Sequence, residues 1–322
     1  MSLKRALRKA AVLALWRPAV AFAVMKPLLP ALLHPWDPMG LDWERGPHSD
    51  SLAYRGFSGR FSATILTLFV HRSAVQSSLP PELTIADDDR LPDWLRGRDD
   101  HPVILLFGRQ TDLGNRRPIF PLYQTIPLFR PYLETFVAIP FLAPRASRKP
   151  PPCFHFVRVP CSTFWPTELG ILEMGWPKIH CSMEMREQGQ TVHYAITDKE
   201  TGRRLFTAET DRSDPVDLGA GDACLEKVAS MLAQPHVLFV GRAMDSYRFD
   251  LRLEAARIQA VSARGTMHPG LLPSIAEPID FAVPKISQSE FGATFVEATF
   301  MNRVLEQSPR PLLSTTRAYL RR

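Results

Sequence analysis

The hydrophobic and polar positions of this chain change period once. In residues 1–33 they follow a helical period. Leu3, Ala6, Leu7, Ala10 and Ala14 share one side, and Lys4, Arg5, Arg8 and Lys9 share the other. From Tyr54 onward the pattern is that of strands. Phe61–Val70 is β-branched and aromatic and alternates in part, while Val103–Phe107 is a continuous apolar run of the buried-strand type. Tyr132–Pro140, Phe154–Val159, Ile179–Met185, Thr191–Ile196 and Phe291–Met301 read as further strands. Val237–Val240 and Tyr247–Val261 add two more, the second predicted as one long strand. Tyr194–Thr197 and Arg203–Ala208 flank Asp198-Lys199-Glu200-Thr201-Gly202, which predicts a hairpin. Two helices stand out in this body. Ala74–Leu79 is stopped by Pro80-Pro81, and Asp222–Leu232 presents Leu225, Val228, Met231 and Leu232 on one side before Pro235. Many short strands, few helices and no internal repeat predict a mainly β fold, an antiparallel barrel or sandwich.

The boundaries implied are an N-terminal basic and apolar helical extension over residues 1–45 and a single β domain over 46–322. Arg17, Pro18 and Lys26 interrupt the apolar stretch of the extension. That excludes an uncharged run of about 20 residues, so no transmembrane span is expected, and it spoils a secretory signal. Two readings stay open: a helix packing on its own domain or on a second subunit, and an amphipathic helix lying on an anionic membrane surface through residues 1–33.

Composition narrows the classes. Thirty prolines among 322 residues suit strands joined by rigid turns better than long helices. The net charge of +6 admits a membrane surface or an anionic ligand. Nucleic acid is not expected, because the cations form no aromatic-interleaved stripe. Cys153, Cys161, Cys181 and Cys224 contain no C-x-x-C pair, which predicts reduced, buried thiols of a cytoplasmic protein. No His, Cys and carboxylate spacing suggests a metal, and no glycine loop or Gly-x-Ser-x-Gly elbow suggests a nucleotide or a serine nucleophile. No cofactor is expected.

The segment Glu168-Leu-Gly-Ile-Leu-Glu-Met-Gly175-Trp176-Pro177-Lys178 resembles the motif region of acetoacetate decarboxylases. Other segments resemble that family in the same order. They are Ser78-Leu-Pro-Pro-Glu-Leu83, Tyr132-Leu133-Glu134, Gln234-Pro-His-Val-Leu238 and Leu251–Ile258, so the likeness spans roughly 54–305. The resemblance implies a cone-like antiparallel β-barrel with an apolar interior pocket, often in an oligomer.

The same segment departs from the family where the chemistry lies. Acetoacetate decarboxylases carry two adjacent lysines before this motif, one of which condenses with the substrate ketone. Leu172 and Glu173 occupy those positions here, and no lysine lies between Lys149 and Lys178. Leucine cannot form an imine, and a carboxylate raises the pKa of a nearby amine where imine chemistry needs it lowered. Arg116 and Arg117 stand where the family places an acid, whereas Arg60 is a counterpart of its carboxylate-holding arginine. The remaining groups predict acid/base chemistry without an imine, of a lyase, hydratase or isomerase type. Glu134, Glu173, Lys178 and His180 are the candidate catalytic residues, with Arg60, Glu168 and Trp176 to bind substrate. For Lys178 the favoured expectation is a structural ion pair with Glu134 or Glu168, and His180 is expected to share its side of the strand. The ligand predicted is a mostly apolar small molecule bearing a ketone or carboxylate. A non-catalytic carrier of a hydrophobic ligand, held at a membrane by the extension, is the competing reading.

Overall fold

The computed structural model describes residues 56–119, 122–127, 130–145, 152–218, 222–240, 243–251, 257–285 and 292–306. The extension over 1–45 and most of the basic proline-rich stretch 145–152 lie outside them.

The described chain is dominated by strands. β1 (Gly56–His71) leads into α1 (Arg72–Ser78), then β2 (Leu83–Ile85), β3 (Asp100–Ile119), β4 (Leu122–Pro127), β5 (Tyr132–Pro144) and β6 (Cys153–Cys161). Helix α2 (Phe164–Met174) precedes β7 (Lys178–Gln188), β8 (Thr191–Asp198) and β9 (Arg204–Asp217). Helix α3 (Ala223–Leu232) precedes β10 (His236–Val240), β11 (Ala243–Leu251), β12 (Arg257–Met267), β13 (Ile279–Val283) and β14 (Ala293–Glu306).

Strands β6, β5, β3, β1 and β14 form a central sheet whose two ends each fork. β6 pairs in parallel with β7 through Val159–Cys161 and with β10 through Phe154. β14 pairs with β12 through Ala293–Glu297 and with β11 through Phe300–Glu306. The forks close two circuits of hydrogen-bonded neighbours. One adds β7, β8, β9 and β12 to the central sheet, giving a closed nine-strand barrel. The other adds β10 and β11, giving a ring of seven. Closure removes exposed edges, which a β-rich chain must otherwise protect. All pairings other than the two made in parallel by β6 are antiparallel among the described residues.

Burial follows from this arrangement. The central strands are covered on both faces, so β5 is buried almost end to end and its sequence reads Phe-Val-Ala-Ile without alternation. β8 has one face to solvent, and there buried Val192, Tyr194 and Ile196 alternate with more exposed neighbours. Odd and even positions of the central strands feed two separate cores. Phe61, Ala63, Ile104, Leu106, Phe136, Ala138 and Phe156 pack inside the seven-strand ring, where Val228, Met231 and Leu232 of α3 close one side. Leu66, Leu68, Val103, Leu105, Phe107, Val137 and Ile139 pack inside the nine-strand ring with Ile196, Phe206 and Met267.

Three elements differ from the pattern reading. The long strand expected over Tyr247–Val261 is represented by β11 and β12, which serve different rings, and 252–256 between them lie outside the described residues. β2, β4 and β13 are short strands that the pattern did not resolve. α2 was not anticipated: its Pro166 and Gly170 depress helix propensity, although proline is tolerated in a first turn. The four cysteines are free and buried, as expected. No helix among the described residues is long and apolar enough to cross a membrane.

Candidate functional site

The motif Gly175-Trp176-Pro177-Lys178 is the hinge from α2 into β7. Gly175 adopts φ 68°, the left-handed conformation that ends a helix without Cβ strain. Its N–H donates to the Ile171 carbonyl at 3.1 Å and that of Trp176 to the Gly170 carbonyl at 3.2 Å. Pro177 cannot extend the helix, and its carbonyl instead accepts from the Val159 N–H at 3.0 Å, docking β7 beside β6. Lys178 is thereby placed at the first position of β7 with its side chain running back past α2. A Cβ on Gly170 would lie 2.7 Å from both Cδ and Cε of Lys178, so the glycine makes the channel along which the lysine reaches inward.

What Lys178 reaches is Glu134 of β5. The ammonium donates to Oε1 in a buried ion pair whose side chains are 4% and 0% exposed. The Lys178 Nζ lies 4.9 Å from the Trp176 ring centroid, so the indole lends a cation–π face. Tyr132, two residues before Glu134 and on the same side of β5, directs its hydroxyl at Oε2 from 3.5 Å. Gln110 is the cross-strand partner of Tyr132 on β3, and Cys161 is that of Glu134 on β6. Around these polar groups the ring is aromatic. Phe136 meets Trp176 at 5.7 Å and Phe61 at 5.8 Å, and Phe61 meets Phe300 at 6.4 Å.

The electrostatics follow from burial. Desolvation pushes the Glu134 carboxyl above its ordinary range, although the Lys178 ammonium and the Tyr132 hydroxyl both favour its charged form. The Tyr132 phenol is pushed well up, first by burial and then by the Glu134 charge. Burial also raises the Cys161 thiol, against the pull of Lys178. A carboxyl held in an apolar core beside one fixed cation has the raised proton affinity that acid/base chemistry uses.

The candidates from the sequence are therefore divided. Glu134, Lys178 and Trp176 come together, and Tyr132 and Gln110 join them unanticipated. The alternation of β5 and β3 could have shown that both share the face of Glu134. His180 does not join, despite lying on the same side of β7 as Lys178. One residue pair further along, it faces Phe164 at 6.0 Å and lies 2.9 Å from Lys199 Nζ near the surface. Arg60 does not join the Glu134–Lys178 pair either. It alternates with buried Phe61, so it leaves β1 on the opposite face, exposed, at the rim of the nine-strand ring. Glu168 lies half-buried on α2. Glu173 is on the same helix, with its side chain outside the described residues. No group of three or more His, Cys, Asp or Glu among the described residues could hold a metal.

No protein-family model and no curated protein matches this chain. Solved structures do match. The enduracididine biosynthesis enzyme MppR, complexed with the condensation product of pyruvate and imidazole 4-carboxaldehyde, is 12% identical with a TM-score of 0.49, covering 84% of this chain and 98% of that one. A solved acetoacetate decarboxylase is 9% identical with a TM-score of 0.49, covering 79% of this chain and 91% of that one. An acetoacetate decarboxylase-like enzyme from Sphingomonas wittichii RW1 is 14% identical with a TM-score of 0.47, covering 80% and 96%. At identities of 9–14% and TM-scores below 0.5, the chemistry is left to be read from this chain's own residues.

Proposed function

We propose that the seven-strand ring is the working chamber of this protein, and that it carries acid/base chemistry without an imine on a mostly apolar small molecule bearing a ketone or carboxylate. The observation that supports this reading is the buried Glu134–Lys178 pair, sealed by Trp176, Phe136 and Phe61 and joined by the Tyr132 hydroxyl. Buried ion pairs give up much of their attraction to desolvation, so stability alone is a weak reason to keep one. Glu134 is the proton carrier: it takes a proton from a carbon next to the substrate carbonyl and returns it at a neighbouring position. Lys178 and Tyr132 hold the negative charge that develops on the carbonyl oxygen. Isomerisation, dehydration and hydration all run through such a step.

A carrier of hydrophobic ligands is the second reading, favoured by the predominance of aromatic side chains around the pair. Peripheral membrane contact through residues 1–33, self-association and a cytoplasmic setting belong to the proposal in either case.

Borohydride reduction of the full chain with acetoacetate, followed by peptide mass mapping, separates imine chemistry from this mechanism. No adduct is expected at Lys178, and an adduct there would overturn the proposal. Turnover of the small molecule that copurifies with the protein should fall by on the order of a hundredfold or more in Glu134→Gln. Unaltered turnover would remove Glu134 from the chemistry, and retained binding without any turnover in the wild type would favour the carrier.

A further inference from the structure

The nine-strand ring holds a second polar constellation that the chemistry above does not use. On its inward face Phe107, Thr64, Phe295 and Gln259 stand as cross-strand neighbours over β3, β1, β14 and β12. Tyr194 comes across from β8 and sets its ring against Phe107, with centroids 4.6 Å apart. Arg212 of β9 stacks its guanidinium over Phe295 at 3.8 Å and donates to Tyr194 Oη at 3.3 Å. Arg212 Nε makes no hydrogen bond, and neither does the hydroxyl of Thr210, which is fully buried two residues earlier on the same strand. Tyr194 Oη accepts from Arg212 and has the Thr64 hydroxyl as a second hydrogen-bonding neighbour, and an oxygen that accepts from both can still donate its own proton to a ligand.

The next positions toward the rim are Ser62, paired with Arg109 on one side and Glu297 on the other. Arg109 is exposed. Glu297 is exposed and faces Arg257 at 3.9 Å, and Glu187 is the remaining acid near Tyr194. Arg212 thus offers most of a planar fork of donors beside two hydroxyls, over an aromatic floor, with a second guanidinium at the entrance.

We propose that this rim binds the carboxylate of a mostly apolar acid. Arg212 receives both oxygens, Tyr194 and Thr210 donate to them, and Arg109 draws the anion in. A guanidinium fork matches a carboxylate in two parallel hydrogen bonds. The floor of Phe107, Phe295 and Tyr194 suits an apolar tail and disfavours a dianionic phosphate. The site lies on the opposite face of the central sheet from Glu134 and Lys178, so it stands or falls independently of the chemistry proposed there.

Calorimetric titration of the full chain with hexanoate tests it, with hexanol and inorganic phosphate as controls. Hexanoate should bind at a site that depends on Arg212, with hexanol and phosphate neither binding there nor displacing it. Arg212→Gln should weaken binding on the order of tenfold or more, and Arg212→Lys should recover part of the loss. Equal hexanoate affinity in Arg212→Gln, equal binding of hexanol, or no binding by the wild type would each overturn the site, and displacement by phosphate would overturn its assignment to a carboxylate. Should Arg212→Gln fail to fold, Tyr194→Phe, which removes one donor and no charge, must weaken hexanoate in the same titration.

Discussion

The two interiors of this molecule are built on the same five strands and solve burial in different ways. Within the seven-strand ring a carboxylate and an ammonium are carried into the core and satisfied by each other. Within the nine-strand ring the buried core is apolar, its polar groups are mostly neutral, and the Arg212 guanidinium is kept near the rim. One residue of register separates the two outcomes. Glu134 and Phe136 leave β5 toward the first chamber, and Thr135 and Val137 leave it toward the second. Because both faces of the strand are buried, alternation here sorts residues between two chemistries rather than between core and solvent. Among the described residues, the Glu134–Lys178 pair is the buried ion pair of the first core, and the chemistry proposed above rests on it.

The comparison can be broken most forcefully at the pair itself. Lys178→Met leaves Glu134 in an aromatic chamber without its cation and should cost about 3–5 kcal/mol, measured by urea unfolding near neutral pH. The double variant Glu134→Leu/Lys178→Met should recover most of that stability. If the single variant unfolds like the wild type, the pair is not buried as described.

On the other side, His101 supplies a pH signature of comparable size. It is fully buried at the start of β3 with Nε2 2.8 Å from the Pro140 carbonyl oxygen. Burial holds it down at about 4, against an ordinary value of 6.5. The unfolded chain therefore binds the proton first. This contribution is fully present above pH 6.5 and should be lost as pH falls toward 4, by about 3 kcal/mol. His101→Gln should flatten that part of the stability profile, and an unchanged slope would show that another group carries it.

Smaller effects sharpen the picture. Gly→Ala inside a helix normally gains up to about 1 kcal/mol. At Gly170 the added methyl meets Lys178, whose far end is pinned by Glu134, so Gly170→Ala should instead lose about 1 kcal/mol and impair any activity of the chamber. Thr135→Val should be neutral or stabilising by up to about 1 kcal/mol, because its buried hydroxyl makes no hydrogen bond. A clear loss on removing that hydroxyl would mean that a buried partner, such as water, satisfies it.

Much of this architecture was legible in the sequence. The continuous apolar run at Val103–Phe107 announced a buried strand, and Tyr132–Pro140 and Thr191–Ile196 were readable as strands from their composition. That Lys178 needs an acidic partner was legible, because buried charges require one, but the choice between Glu134 and Glu168 was not, and the pairing of β5 with β6 and of β6 with β7 decides for Glu134. α2 was not legible, since Pro166 and Gly170 obscure a helix whose purpose is to aim Lys178. The displacement of Arg60 was within reach of alternation: Phe61 had to face the core, so Arg60 had to leave the other way. The division of Tyr247–Val261 between two rings depends on pairing partners far along the chain, which no local pattern encodes.

Proton exchange at carbon is the most direct test of the chamber's chemistry. Acetylacetone in deuterated water, followed by proton NMR, should lose its α-proton signal faster with the wild-type chain than with buffer. Glu134→Gln should abolish the acceleration, and Arg212→Gln, across the central sheet, should retain it. Equal acceleration by Glu134→Gln and the wild type, or none by either, would contradict the assignment of proton transfer to the Glu134–Lys178 pair.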